Sequence, residues 1–232
     1  MELLGFGAEG WGDDLLRGAA LTVQLAVVSL AIGLTFGMFL ALAKLSRFAP
    51  LRWLAQGYTL FIRGVPEFLI LLLAFFGTEK AVAAGAALLG LEGGIEVPKF
   101  AAAVGGLSAI FAAYGCEVIR GAWLAVPNGQ IEAGHSVGLS RWQIFYRIRL
   151  PQLWRIALPG LGNLWLVMLK DTSLAAVLAI DELLRVAKVA GEVTRQPLMF
   201  LLAAGAIYLL LTAISDKMRA SFEARANRGM AR

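Results

Sequence analysis

The sequence predicts an all-α integral membrane protein with five transmembrane helices and one long cytoplasmic loop. Three observations carry that expectation. Of the 232 residues, 59% are hydrophobic and 16% are charged, whereas a soluble domain has about 45–50% apolar and about 25% charged residues. The apolar residues fall in blocks long enough, or nearly so, to cross about 30 Å of hydrocarbon. Lys and Arg concentrate in alternate connecting segments, as the positive-inside rule requires of a multi-pass chain. The composition argues against a soluble cytoplasmic enzyme and against a disordered chain. With one cysteine, Cys116, and one histidine, His135, the chain can form no internal disulfide and no metal site built from several His or Cys ligands. The net charge of +5 reads as loop topology and not as nucleic-acid binding.

The first span is 18–43, a charge-free run between Arg17 and Lys44. It is too long for the apolar part of a signal peptide and acidic residues precede it, so it is read as a retained helix. It contains Gly33-Leu-Thr-Phe-Gly37, a spacing that lets two helix backbones approach closely in lipid. The second span is about 53–78, interrupted by Arg63 and Glu67. Ala81 to Leu91 is apolar but too short to cross, and is placed as an interfacial or loop-packed helix on the second outer loop. The third span, 98–120, has a charge-free centre from Phe100 to Cys116. The fourth, 153–176, is interrupted by Lys170 and Asp171, and Pro159-Gly160 with Gly162-Asn163 predict an irregular helix there. The fifth is 197–215, and the whole chain, 1–232, reads as one transmembrane domain. Five spans put the termini on opposite sides. With the N-terminus outside, the inner segments hold 13 Lys and Arg against 6 outside, and 4 acidic residues against 10. That places the N-terminus outside and the C-terminus in the cytoplasm.

The inner loop at 128–151 carries the most local detail. Gly138 stops a first short helix, since glycine suits the left-handed position past a helix end. Ser140 and Gln143 have capping-box spacing, with Leu139 and Ile144 at the staple positions. Pro151 is expected to end a second short helix, because the residue before proline avoids the helical region. Trp142, Phe145, Tyr146 and Ile148 lie among Arg141, Arg147 and Arg149. Such a face either docks on a partner protein or lies against lipid phosphates as a basic amphipathic helix.

Glu132-Ala133-Gly134, three residues, Gly138, nine residues, then Ile148-Arg149-Leu150-Pro151 resembles the EAA loop of ABC importer permeases. Gly134 replaces an alanine of that pattern, which on propensity loosens the first short helix by about 1 kcal/mol. Tyr58-Thr59, Arg63-Gly64-Val65-Pro66-Glu67, Tyr114 to Arg120 with Val126-Pro127, and Lys170-Asp171-Thr172-Ser173 extend the resemblance to the polar amino-acid uptake branch. Within it the chain is most similar to the Q-type membrane subunits of histidine/lysine/arginine/ornithine and opine importers. The resemblance implies a type I importer permease fold in a bacterial inner membrane. It implies uptake of polar, basic amino acids or opines by alternating access. It also implies a second homologous permease subunit as a heterodimer or homodimer, two cytoplasmic ABC ATPase subunits, and an extracytoplasmic substrate-binding protein. Glu132, Ala133, Gly134, Gly138, Ile148, Leu150 and Pro151 are then the ATPase-coupling residues. Nowhere in the chain does the dipeptide Gly-Lys of a phosphate-binding loop occur. ATP and magnesium are therefore expected on the partner ATPase, with no cofactor, no catalytic residue and no nucleic acid on this chain.

Charges inside spans cost about 2.5–3.5 kcal/mol on insertion scales, so each marks a candidate site. Arg63 and Glu67 either flank a water-lined break or pair with each other at i and i+4. Lys170, Asp171, Thr172 and Ser173 offer partners for a substrate carboxylate and ammonium, or else satisfy neighbouring spans. Glu117, with Tyr114 on the same face, either meets a cationic cargo or pairs with Arg120. Two other classes compete with a permease subunit. An ion-gradient-driven secondary transporter commonly carries inverted repeats, and none is evident. An intramembrane enzyme needs a nucleophile and base at one depth, and His135 lies in the loop.

Overall fold

A computed structural model of the chain describes residues 2–7, 10–88 and 97–227. In chain order the helices are α1 (Gly12–Leu45), α2 (Ala49–Gly64), α3 (Glu67–Leu88), α4 (Lys99–Ala125), α5 (Asn128–Ser136), α6 (Arg141–Ile144), α7 (Leu150–Asp171), α8 (Leu183–Thr194) and α9 (Pro197–Ala226). A π-helical turn, Phe145–Arg149, joins α6 to α7, and a 3-10 turn, Thr172–Leu178, follows α7. No strand occurs among the described residues. Among the described residues five helices are long and apolar enough to span a membrane: α1, α3, α4, the run Arg141–Leu178 and α9.

Helix α4 is the centre of the assembly. Its apolar window is 67% buried, against 11% for α3 and for α9, so the latter two leave most of their surface to lipid or to another chain. Small residues make this possible: Ala102, Ala103, Gly106, Ala112, Ala113 and Gly115 of α4 are all buried. Helix α1 crosses α4 at the paired glycines. A Cβ on Gly33 would lie 2.9 Å from the Phe111 Cβ and from the Ser108 carbonyl oxygen, and one on Gly37 would lie 3.1 Å from the Ala112 carbonyl oxygen. The small-xxx-small spacing is therefore a true backbone contact.

The second span differs from its expected bounds. The helix breaks at Val65-Pro66: α2 ends at Gly64, Val65 is extended (φ −104°, ψ 142°), and α3 begins at Glu67. The residue before a proline is pushed out of the helical region, and here that outweighs the apolar continuity of 53–78. The spanning helix is α3. It takes in Ala81 to Leu88, the stretch expected as a separate interfacial helix; 89–91 lie outside the described residues. Helix α2 is one-sided, burying Ala55, Thr59 and Ile62 while Trp53, Leu54 and Leu60 stay exposed.

The fourth span corrects two further expectations. Pro151 does not end a helix; α6, the π turn and α7 run on without a break. The Leu150 N–H reaches back five residues to the Phe145 carbonyl. This wider turn makes room for the proline ring, whose missing N–H leaves one bond of the continuous helical ladder unmade. Nor is α7 irregular at its glycines, since it stays helical through Pro159. Gly160 receives Val118 of α4, and Gly162 receives the Arg219 stem of α9, at 2.8 and 2.6 Å from would-be Cβ atoms. These glycines are packing contacts.

Glu182 closes the far end of the bundle. Fully buried, it caps α8 by accepting from the Leu184 and Arg185 N–H groups at 3.0 and 2.8 Å. It also accepts from the Tyr208 hydroxyl of α9 at 2.8 Å and the Thr22 hydroxyl of α1 at 3.4 Å. Three helices thus share one carboxylate.

Candidate functional site

Two separate regions carry the candidate residues. The first is the α5–α6 loop. Gly138 has φ +78°. Around it the Leu139 N–H bonds to the Gly134 carbonyl and the Gly138 N–H to the His135 carbonyl, both at 3.0 Å. That pair of bonds closes a helix over a left-handed residue. Ser140 then opens α6 with a complete capping box: its Oγ accepts from the Gln143 N–H at 3.3 Å, and its own N–H donates to Gln143 Oε1 at 2.9 Å. Glu132 and Ala133 are exposed, whereas Gly134 is buried. A Cβ on Gly134 would meet Ile148 Cδ1 at 2.9 Å and Ile144 Cγ1 at 3.0 Å. Gly134 thus seats α5 against the π turn, a packing gain that propensity alone does not show. Trp142 stacks on Phe145, and Tyr146 meets both rings edge-on, with centroids 4.8 to 5.9 Å apart. Trp142 is 68% exposed and Val137 75%, while the Arg149 guanidinium lies over the Trp123 ring at 4.2 Å. The loop therefore presents apolar rings and cations on a scaffold fixed at both turns. Ile148 is half-buried, and Leu150 and Pro151 lie on the outer side of the π turn.

The second region lies where α3, α4 and α7 meet. The break at Val65-Pro66 puts Glu67 at the start of α3, and the tightening into a 3-10 turn leaves Asp171 at the end of α7. Both line a cavity of about 260 Å³, with Tyr114, Ile110, Phe111 and Met168. The two carboxyl-bearing side chains and Tyr114 thus face one cavity. Arg63 makes no ion pair with Glu67 among the described residues. The intervening chain is not helical, so an i, i+4 pair cannot form. Instead its guanidinium sits 5.3 Å from the centre of the Tyr114 ring.

Of the Lys170–Ser173 motif, only Asp171 reaches this cavity. Lys170 is exposed, Ser173 is half-buried, and the buried Thr172 donates its hydroxyl to the Leu169 carbonyl at 2.8 Å. Glu117 is occupied elsewhere. One oxygen accepts from Arg120 at 2.8 Å and the other from Lys44, which also donates to Thr59. Lys44, at 3% side-chain exposure, escaped the sequence reading as a mere span boundary. The signal was there: nothing between Ala43 and Ser46 stops a helix, so the lysine had to stay on α1. Glu182 escaped too, because its partners Thr22 and Tyr208 are far away in sequence.

The family described as "Binding-protein-dependent transport system inner membrane component" matches residues 33–228. The nopaline transport system permease protein NocQ of Agrobacterium fabrum is 47% identical over 99% of this chain and 98% of its own length. The arginine ABC transporter permease protein ArtQ of Escherichia coli K12 is 37% identical over 92% and 95%. A crystal structure of an amino acid ABC transporter with histidines superposes with TM-score 0.78 at 31% identity, over 93% of this chain and 95% of that one. These relatives are ABC permeases, which removes the ion-driven secondary transporter as an alternative.

Proposed function

Because the chain belongs to the family of inner membrane components of binding-protein-dependent transport systems, we propose that it carries basic amino acids or opines through the cavity between Glu67 and Asp171. The chain is a permease subunit of an ABC importer for amino acids or opines. The single observation behind the choice of cargo is the convergence of two carboxyls on one cavity. Two carboxylates facing one cavity repel each other when both are ionised, and a guanidinium or ammonium between them relieves the repulsion. The relatives named for nopaline and for arginine support the same cargo class.

In the working complex this chain pairs with a second permease subunit. Two cytoplasmic ATPases dock on the α5–α6 loops, and a binding protein delivers cargo from outside. The N-terminus faces outward and the loop faces the cytoplasm, a reading supported by the basic-residue asymmetry. ATP-driven closure of the ATPases displaces the loop, and the unbroken helix from Arg141 to Asp171 links that displacement to one wall of the cargo cavity. Cargo access alternates between the two sides. The test is uptake of labelled arginine into proteoliposomes that hold the whole complex and its binding protein. Uptake should require ATP and survive ionophores that collapse proton and sodium gradients. Uptake without ATP, or abolished by the ionophores, would contradict the proposal.

A further inference from the structure

The two helices that leave the α5–α6 loop are joined to it differently. On one side, helix runs unbroken from Arg141 to Asp171. On the other, α4 ends at Ala125 and reaches α5 through Val126 and Pro127, both extended (ψ 120° and 130°). Two extended residues carry no i→i−4 bonds, so this link transmits a push less stiffly than a continuous helix does. A side-chain contact bridges it. Trp123, in the last turn of α4, packs against the same core as its buried neighbours Ala122 and Val126. The Arg149 guanidinium lies over the Trp123 ring at 4.2 Å, and the Phe145 ring tilts against it with centroids 6.2 Å apart. Phe145 and Arg149 are the first and last residues of the π turn. The Arg149 Nε is buried and meets no acceptor among the described residues, so the indole face is what receives this cation.

Resting on the reading of the loop as the ATPase dock, we infer that Arg149 and Trp123 form a clasp through which the displaced loop carries α4 along with α7. Both are positioning residues; neither lines the cargo cavity. The walls of that cavity are Ile110, Phe111 and Tyr114 of α4, Met168 and Asp171 of α7, and Glu67 of α3. Helices α4 and α7 also interlock below it, where Gly160 receives Val118. Trp123 stands roughly 14 Å along α4 from Tyr114. With the clasp closed, the loop moves the α4 and α7 walls as one body against Glu67. With the clasp open, the loop draws on α7 alone and shears it past α4, and ATP is hydrolysed without the matching rearrangement of the cavity. A guanidinium stacks flat on an indole, whereas an ammonium meets it as a point charge, so lysine is a weaker substitute at position 149.

The experiment measures arginine uptake per ATP hydrolysed by the complete complex with its binding protein in proteoliposomes. ATPase association and thermal unfolding of the purified complex are measured beside it. Trp123→Leu and Arg149→Met should each lower uptake per ATP about fivefold or more. The double variant should fall no further than the worse single, because both changes remove one contact. Trp123→Phe, which keeps a ring, and Arg149→Lys, which keeps a charge, should each recover part of the loss. An unchanged ratio, losses that multiply in the double variant, or no recovery by the conservative changes would overturn the clasp. So would uptake that falls only in proportion to the amount of complex and its unfolding temperature, which would leave the contact a merely structural one. Weakened ATPase association confined to Arg149→Met would make Arg149 a docking residue and overturn the clasp as well. Should Trp123→Leu fail to assemble, the two Arg149 variants, on the half-exposed π turn, decide the matter. Failure of the underlying docking reading looks different: Gly138→Asp then leaves ATPase association and uptake per ATP at their wild-type values.

Discussion

Gly33 and Gly121 both sit in long membrane helices, yet only Gly33 has neighbours where a Cβ would go. Gly33→Ala must displace the Phe111 Cβ and the Ser108 backbone, at a cost of about 1–3 kcal/mol. Gly121→Ala meets nothing within 4 Å and should gain up to about 1 kcal/mol of helix propensity. Thermal unfolding of the purified complex separates them; equal effects would contradict the close α1–α4 crossing. Glu182 makes a second claim at this scale. Removing one of its donors with Tyr208→Phe should cost about 1–3 kcal/mol in the same assay. Burial pushes the Glu182 carboxyl up, against the N–H and hydroxyl groups that pull it down. A carboxyl raised in the fold contributes stability that is complete below its unfolded value and is lost as pH rises through its folded value. The stability difference between wild type and Glu182→Gln should therefore move against wild type as pH climbs from the ordinary value of 4.5. A difference that moves the other way would contradict the desolvation reading.

Helix ends set by local chemistry were legible in the sequence, and those set by longer-range geometry were not. The Gly138 stop and the Ser140–Gln143 box involve residues within five positions of each other, and both form as their types dictate. The substitution Gly138→Asp places a side chain at φ +78°, which costs about 1 kcal/mol or more. It should leave the chain in the membrane yet lower transport per ATP hydrolysed; unchanged coupling would contradict the docking role. The two prolines show the limits of local reading. Pro66 breaks a span that hydropathy joins, because a window average cannot see one extended residue. Pro151 fails to break a helix, because a π turn absorbs it. The Arg63–Glu67 staple was lost with the first of these, since i, i+4 pairing presupposes an unbroken helix.

At the scale of the whole molecule, the all-helical fold with five apolar spans was legible, because bilayer thickness acts on the sequence directly. The partners of Glu117 and Asp171 were not. Lys44 and Glu117 are 73 residues apart, and Glu67 shares a cavity with Asp171 only after α3, α4 and α7 have packed. Orientation can be tested by itself. With Cys116 buried, a cysteine at the exposed Asn128 should react with impermeant reagent only from the cytoplasm. One at the exposed Lys188 should react only from outside; reversed labelling would invert the assigned orientation. The most direct test of the central claim, that Glu67 and Asp171 form the cargo site, is uptake of arginine and of glutamine by the complete complex. Wild type is compared with Glu67→Gln and Asp171→Asn variants, normalised to the amount of assembled complex. Wild type should move both substrates, and each variant should lose about tenfold or more of arginine uptake while keeping most of its glutamine uptake. Equal losses for the two substrates, or no loss, would contradict the account.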